Sequence, residues 1–233
     1  MLSSRKNLLE TSMQHTALIT GTNRGIGLSL TKHYLKNGWN VIAACRQPST
    51  ELADSGATVV SGIDVTNPES LHKLTTTLAS TKIDLLINNA GILRDEALGQ
   101  LNFDTIEAQF AVNTLGPLRI TERLLNNFNE HAKIAMITSR MGSIADNTSG
   151  GRYGYRMSKA ALNIAAVSLA QDLKSRGIAV GIIHPGLVGT DMIGGYGDVT
   201  PDQAAANIVQ RLDSLDLDNS GTFWHANGEI LPW

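Results

Sequence analysis

The chain has 233 residues, a formal net charge of −2 at pH 7, 42% hydrophobic residues and 17% charged residues. That balance suits one soluble α/β unit with a sizeable core, and it gives no overall pull toward nucleic acid or an anionic membrane surface. No apolar run approaches the ~20 residues needed to span a bilayer, and the single cysteine, Cys45, excludes an internal disulfide and points to a reducing, cytoplasmic setting.

Residues 1–14, MLSSRKNLLETSMQ, lack the apolar stretch and small-residue cleavage site of a secretory signal. They read as a poorly ordered extension, with Met13 an alternative start, ahead of one domain over 15–233. Ala17-Leu18-Ile19 reads as a strand running into Thr20-Gly21. Gly25 and Gly27 open a helical pattern carried by Ile26, Leu30, Tyr34 and Leu35, which ends near Asn37-Gly38. A strand, a glycine-rich turn and a helix form the first half of a dinucleotide-binding unit. The glycines admit a pyrophosphate to the backbone, and the helix N-terminus offers free N–H groups. The spacing Gly21-x-x-x-Gly25-x-Gly27 differs from the G-x-G-x-x-G of most dehydrogenases. Val41 to Cys45 reads as a buried strand ending at Arg46. An acidic residue here would hold a ribose 2′-OH, whereas an arginine suits a 2′-phosphate. Arg24 and Arg46 together therefore favour NADP over NAD, unless both are ordinary surface arginines.

Thr58 to Val65 reads as a third strand, closed by Asn67-Pro68. Asp64 either meets the adenine amino group or caps the helix that starts at Pro68. An amphipathic helix over 69–80 leads to a fourth strand, Asp84 to Asn88, and the small-residue turn Asn89-Ala90-Gly91. A long helical region over 103–129 is interrupted near Asn113 and Gly116-Pro117, where helix propensity is poor and a kink with a special role is expected. Lys133 to Ser139 is the fifth strand. A polar loop over 140–152 then leads to an apolar helix from Tyr153 through Leu173, ending at Gly177. Ala179 to Ile183 is the sixth strand, followed by His184-Pro185-Gly186, a glycine-punctuated segment, a helix from Pro201 and a candidate seventh strand within 221–233. Strands alternating with helices predict a single-domain, doubly wound parallel sheet of about seven strands with helices on both faces. No metal site is expected.

Tyr155 and Lys159, four residues apart, share one helix face. A phenol with a pKa of ~10 is a poor acid or base at neutral pH, and a nearby ammonium lowers that value. Ser139 ends a parallel strand, where such sheets bind ligands, so its hydroxyl could hold a carbonyl oxygen beside the tyrosine. Each feature alone also fits an ordinary surface or strand-end residue. In chain order, however, Thr20-Gly21-x-x-x-Gly25-Ile26-Gly27, Asn88-Asn89-Ala90-Gly91, Asn113, Ser139-x-x-Gly142, Tyr155-x-x-Ser158-Lys159 and Pro185-Gly186-x-x-x-Thr190 resemble the short-chain dehydrogenase/reductase family over roughly residues 15–233. The stretch from Thr138 to Asp146 and the closing Leu231-Pro232-Trp233 are similar to its C-factor-like branch, near the Sniffer-type carbonyl reductases.

The resemblance implies a Rossmann fold and hydride transfer between NADP(H) and a carbonyl or secondary alcohol. Tyr155 would be the general acid in reduction and the base in oxidation. Lys159 would lower its pKa and bind the nicotinamide ribose, Ser139 would orient the carbonyl, and Asn113 would hold a water linking Lys159 to solvent. Gly21, Asn23, Arg24, Gly25, Ile26, Gly27, Arg46, Asp64 and Val65 would bind the cofactor, with Asn89, Ala90, Gly91, Pro185, Gly186, Val188 and Thr190. A homodimer or homotetramer would form through the helices around 103–129 and 153–174. The interval from Ser139 to Tyr155 is a few residues longer than is usual in the family, so the Asp146-to-Arg152 loop is expected at the substrate entrance. The short segment after Gly186 predicts an open pocket with broad carbonyl specificity. From a different class, an NADP-binding signalling or regulatory protein that needs no turnover fits the C-factor likeness. A nucleotide-binding methyltransferase on a similar sheet leaves the Tyr155/Lys159 pair without a purpose.

Overall fold

The computed structural model describes residues 14–233, so the extension expected over 1–14 lies, but for Gln14, outside the described residues. β1 (Thr16–Thr20) is buried at every position, as befits a parallel strand covered on both faces. The elements then alternate: α1 (Gly25–Lys36), β2 (Asn40–Ala44), α2 (Thr50–Ala53), β3 (Thr58–Val60), α3 (Pro68–Leu78) and β4 (Ile83–Asn88). After α4 (Phe103–Phe110), a π-helical turn (Ala111–Leu115) and α5 (Gly116–Arg123) come β5 (Phe128–Ile137), a 3₁₀ turn (Arg140–Gly142) and α6 (Tyr153–Leu173). β6 (Ala179–His184), α7 (Pro201–Asp213) and β7 (Phe223–His225) complete the chain. The seven strands form one sheet in the order β3-β2-β1-β4-β5-β6-β7, and every pairing is parallel. The sheet is the doubly wound one expected. No helix among the described residues is long and apolar enough to cross a membrane.

Alternating strand residues sort the core into two layers. Leu18, Leu86, Ile134 and Val180 pack with Leu74, Ile120 and Leu162 of α3, α5 and α6. Ala17, Ile19, Leu85 and Ile87 pack on the other face with Leu30 and Tyr34 of α1 and Ile208 and Leu212 of α7. Each such side chain contributes about 1.5–3 kcal/mol by leaving water. Helix ends are set by side chains: Asn67 accepts hydrogen bonds from the Glu69 and Ser70 amides at the start of α3, with Pro68 next to it. Thr200 and Gln203 cap α7 reciprocally.

Three expectations are corrected. The third strand stops at Val60, because Gly62 turns with φ +75° and its amide donates to the Arg46 carbonyl, leaving Ile63-Asp64-Val65 as a loop. The helical region ends at Arg123 rather than 129, and β5 begins at Phe128 rather than Lys133. There the Asn127 side chain donates to the Ala79 and Thr81 carbonyls, and the Ile83 amide donates to the Asn127 carbonyl. These bonds pull Phe128 into register with Ile83, and the surplus residues before Lys133 are absorbed in an irregular stretch with His131 at φ +62°. The four-residue α2 has too few residues to show a period, and only its Ser49 cap marks it.

The end of the chain closes over β6. His184 pairs with His225 of β7, and their rings meet edge to face at 4.9 Å. Arg140 bridges Asp146 (2.9 Å) and Glu229 (3.1 Å), while the Ala145 amide donates to the Trp233 carbonyl at 2.8 Å. Burial, His225, Arg140 and Lys159 push the pKa of His184 down to about 3, and its Nδ1 is buried without a hydrogen-bond partner among the described residues. The unfolded chain takes up this proton below pH ~6.5 while the folded chain does not, so stability falls as pH drops from 6.5 toward 3. Urea titrations should show the wild type losing up to about 2 kcal/mol more than His184→Asn between pH 7 and pH 5. Equal losses in the two proteins would refute this account.

Candidate active site

The parallel sheet presents its C-terminal strand ends to a cleft of about 460 Å³. β1 is followed by β2 on one side and paired with β4 on the other, so the crevice opens where the winding reverses. The glycine turn is folded hard against its surroundings. Gly21 has φ +70°, and a Cβ there would sit 2.9 Å from the Ala90 Cα. A Cβ on Gly27 would collide with the Gly21 carbonyl oxygen and reach 2.6 Å from the Asn89 amide nitrogen. The Thr20 hydroxyl accepts from the Asn89 and Ala90 amides (3.1 and 3.0 Å), and the Asn89 side chain donates to the Thr20 and Gly21 carbonyls (3.0 and 3.1 Å). No side chain caps α1, so its first-turn N–H groups are left for the cleft.

All the predicted cofactor residues border this cleft except Gly27, Gly186 and Val188. Gly27 lies beneath the turn, Gly186 packs near the His225 ring, and Val188 is buried in a bridge to Val199. The two arginines part company. Arg24 Nη1 reaches across to Asp191 Oδ2 at 3.1 Å, an exposed pair of small energetic weight. Arg46 forms no ion pair among the described residues and stands at the cleft beside Asp64. Burial tends to raise the Asp64 pKa, but hydrogen bonds from the Thr66 amide and hydroxyl, with the Arg46 charge, hold it below its usual value. Capping of α3 falls to Asn67, which removes that alternative for Asp64. Thr66 and Ile92 also line the cleft and were not anticipated; neither stands in a motif, and only the folded loops bring them there.

On α6, Tyr155 and Lys159 are both buried, and Lys159 Nζ lies 5.8 Å from the Tyr155 ring centre. The Ser139 side chain acts on the phenol and pulls its pKa down, and its Oγ accepts from the Met141 amide at 3.1 Å. Gly142 makes this meeting feasible: a Cβ there would lie 2.8 Å from the Lys159 carbonyl carbon, so the turn after Ser139 rests on the helix backbone. The π-helical turn carries the kink expected around Asn113, whose Oδ1 accepts from the Ile92 amide (2.8 Å). Its Nδ2 donates to the Ile92 carbonyl (2.8 Å) and to Ser158 Oγ (3.0 Å). Asn113 thus clasps the segment after Gly91 to α6.

The electrostatics differ from the expectation that Lys159 lowers the Tyr155 pKa. Burial dominates and raises it, with the Ser139 hydrogen bond and the Arg152 charge offsetting only part. Lys159 Nζ donates to the Ile137 carbonyl (2.9 Å), and burial pushes its own pKa down to about 8. At neutral pH the phenol keeps its proton. Arg152, at the end of the 140–152 loop, pairs with Asp95 at 2.7 Å, so this loop meets the 91–102 segment close to Tyr155.

Comparison with known proteins agrees with this geometry. Residues 15–199 match the family model for short chain dehydrogenases. The chain is 41% identical over 224 residues to the 1-hydroxy-2-glutathionyl-2-methyl-3-butene dehydrogenase of Rhodococcus sp. (strain AD45), covering 94% of this chain and 99% of that protein. It is 39% identical over 166 residues to C-signal of Myxococcus xanthus, covering 70% of this chain and all of that protein. Among solved structures it is similar to the NADPH-bound carbonyl reductase from chicken fatty liver (TM-score 0.84, 30% identity, 94% of this chain and 99% of that one). The carbonyl reductase Sniffer of D. melanogaster is comparably similar (TM-score 0.85, 28% identity, 94% and 100%). These likenesses run the length of the sheet and include the branch that the motifs around Ser139 and Trp233 resemble. The chain belongs to the short-chain dehydrogenase/reductase family of oxidoreductases.

Proposed function

We propose that the protein is an NADP(H)-dependent oxidoreductase that interconverts a carbonyl and a secondary alcohol. The observation that carries this is the cleft at the strand ends lined by Tyr155 and Lys159, with Ser139 directly after the lining residue Thr138 and acting on the phenol. The cleft fits a dinucleotide: its glycine turn has no room for a Cβ at Gly21 or Gly27, and the first turn of α1 is uncapped. Arg46 suits a 2′-phosphate, supported by its forming no ion pair among the described residues and by the NADPH-bound relative. Arg24 is the weaker half of that argument, because Asp191 already engages it.

A bound nicotinamide supplies the hydride in reduction and accepts it in oxidation. The protein's part is to hold the substrate oxygen and move a proton to it. Ser139 Oγ, fixed by the Met141 amide, is placed to hydrogen-bond a carbonyl oxygen beside the phenol. Tyr155 Oη gives its proton to that oxygen as negative charge develops, and takes it back in the oxidative direction. Its raised pKa keeps the phenol protonated at neutral pH, which suits reduction. Lys159, a buried ammonium with no acidic partner among the described residues, lies against the same ring and stabilises a transient phenolate. Asn113 holds the segment after Gly91 in place, and a water relay to Lys159 belongs to this proposal. The same reading places the protein in the cytoplasm as a homodimer or homotetramer, supported by the exposed Phe103, Leu118, Met157 and Ile164 on α4, α5 and α6.

A second reading, an NADP-binding signalling protein whose effect needs no turnover, is supported by the likeness to C-signal. Tyr155→Phe separates the two. Loss of the general acid should lower carbonyl turnover by at least about a hundredfold while NADPH affinity stays within about twofold. A biological effect that survives the substitution would favour the signalling reading. Calorimetry tests the cofactor: Arg46→Ala should weaken NADPH by about 10- to 100-fold and leave NADH unchanged. Equal loss for both cofactors would break the assignment of Arg46 to the 2′-phosphate.

A further inference from the structure

The N-terminus of α6 carries Tyr155 in its first turn, yet it has no cap of its own. Arg152 occupies the capping position in a left-handed conformation (φ +50°), and its side chain accepts no backbone N–H. The missing acceptor comes from far away in the chain. Glu96 Oε2 accepts from the Gly154 amide at 3.1 Å, and the Glu96 carbonyl accepts from the Arg152 amide at 2.9 Å. Its other oxygen, Oε1, accepts from the Gln109 side chain (a bond of 2.6 Å) and from the Thr105 hydroxyl (3.0 Å). Gln109 Oε1 in turn accepts from the Arg94 amide at 2.9 Å. Glu96 is only 4% exposed and Gln109 is fully buried. No cation among the described residues pairs with Glu96.

A buried carboxylate without a cation persists where donors converge on it, and a helix N-terminus adds favourable partial charge. Every donor here belongs either to the segment 94–109 or to the first turn of α6. Gly154 keeps the junction tight, since a Cβ there would sit 2.9 Å from the Ile106 Cα and 3.0 Å from Glu96 Oε1. The next residue is Tyr155. The Glu96 carboxylate thus bonds the backbone one residue before the phenol.

We propose that Glu96 is a positioning residue, a cap supplied from 58 residues earlier in the chain by the loop before α4, that fixes the first turn of α6 and with it the placement of Tyr155. The proposal rests on the reductase reading for its kinetic consequence, but not for its structural one. Glu96→Ala removes the acceptors. Glu96→Gln keeps the shape but leaves one donor unmatched in either orientation of the amide, because Gln109 already spends its oxygen on Arg94. In the double variant Glu96→Gln/Gln109→Glu the acceptor and donor change places. The amide introduced at position 96 can then accept from Gly154 and donate to the carboxylate introduced at position 109. The exchange forfeits the bond from the Gln109 side chain to the Thr105 carbonyl.

The experiment measures amide hydrogen exchange of residues 153–156 in the full-length protein, with the first turn of α7 (201–204) as internal control. Alongside it, NADPH affinity and turnover of benzil and isatin are measured. Both single substitutions should speed exchange at 153–156 by about tenfold with the control unchanged. They should lower kcat by about tenfold or more with NADPH affinity within about twofold. The double variant should recover both quantities to within about fivefold. Unchanged exchange at 153–156 overturns the proposal, as does exchange that rises equally at 201–204. Loosened exchange with full kcat overturns the link to Tyr155. If the wild type reduces neither probe, the reductase reading fails for these carbonyls, and the exchange result alone still decides whether Glu96 is the cap.

Discussion

Where β1 and β4 part company, their last backbone groups leave the sheet ladder and need new partners. The Thr20 hydroxyl takes two of the amides, and the Asn89 side chain takes two of the carbonyls. These four bonds are buried or half-buried, so leaving any one unmade would cost about 1–3 kcal/mol. They also hold the glycine turn flat against Ala90, with no space for a side chain at Gly21 or Gly27. The cleft, the open first turn of α1 and the route of the chain past Gly91 follow from this knot.

A second constraint is desolvation around α6. Tyr155, Lys159, Asn113 and Ser158 are all buried within two helical turns and the π-helical turn opposite. Burial raises the phenol's pKa and lowers the ammonium's, so each group is pushed toward its neutral form. Both are retained because neighbouring polar groups meet them: Ser139 at the phenol and the Ile137 carbonyl at the ammonium. Strongly perturbed groups of this kind cluster at functional sites.

The two segments that flank the phenol are tied to the body of the protein differently. The 140–152 loop is tied by exposed ion pairs, Arg140 with Glu229 and Arg152 with Asp95, and by backbone bonds from the Ala145 amide to the Trp233 carbonyl and from the Arg152 amide to the Glu96 carbonyl. Pairs of that kind are weak and adjustable. The 94–109 segment is instead anchored by a buried network centred on Glu96 and Gln109. The 94–109 segment is thus held beside the phenol by buried side-chain bonds, and the 140–152 loop by side-chain bonds at the surface.

Much of this was legible in the chain because it is local. The glycine turn, the four-residue spacing of Tyr155 and Lys159 and the alternation of apolar strands with helical periods each lie within about twenty residues. They determined the fold class, the cleft's position at the strand ends and the place of Tyr155 and Lys159 in its lining, whereas Asn113 and Ser139 fall next to the lining residues Val112 and Thr138 and were singled out with the family resemblance. What only the tertiary structure decided depends on residues far apart in sequence. β3 ends at Val60 because Gly62 bonds to Arg46, and β5 starts at Phe128 because Asn127 reaches back to Ala79 and Thr81. Arg24 is drawn to Asp191, and Glu96 is drawn to Gly154. The direction of the Tyr155 shift is of the same kind, since charge spacing along a helix can be read from the chain but desolvation depends on everything packed around it.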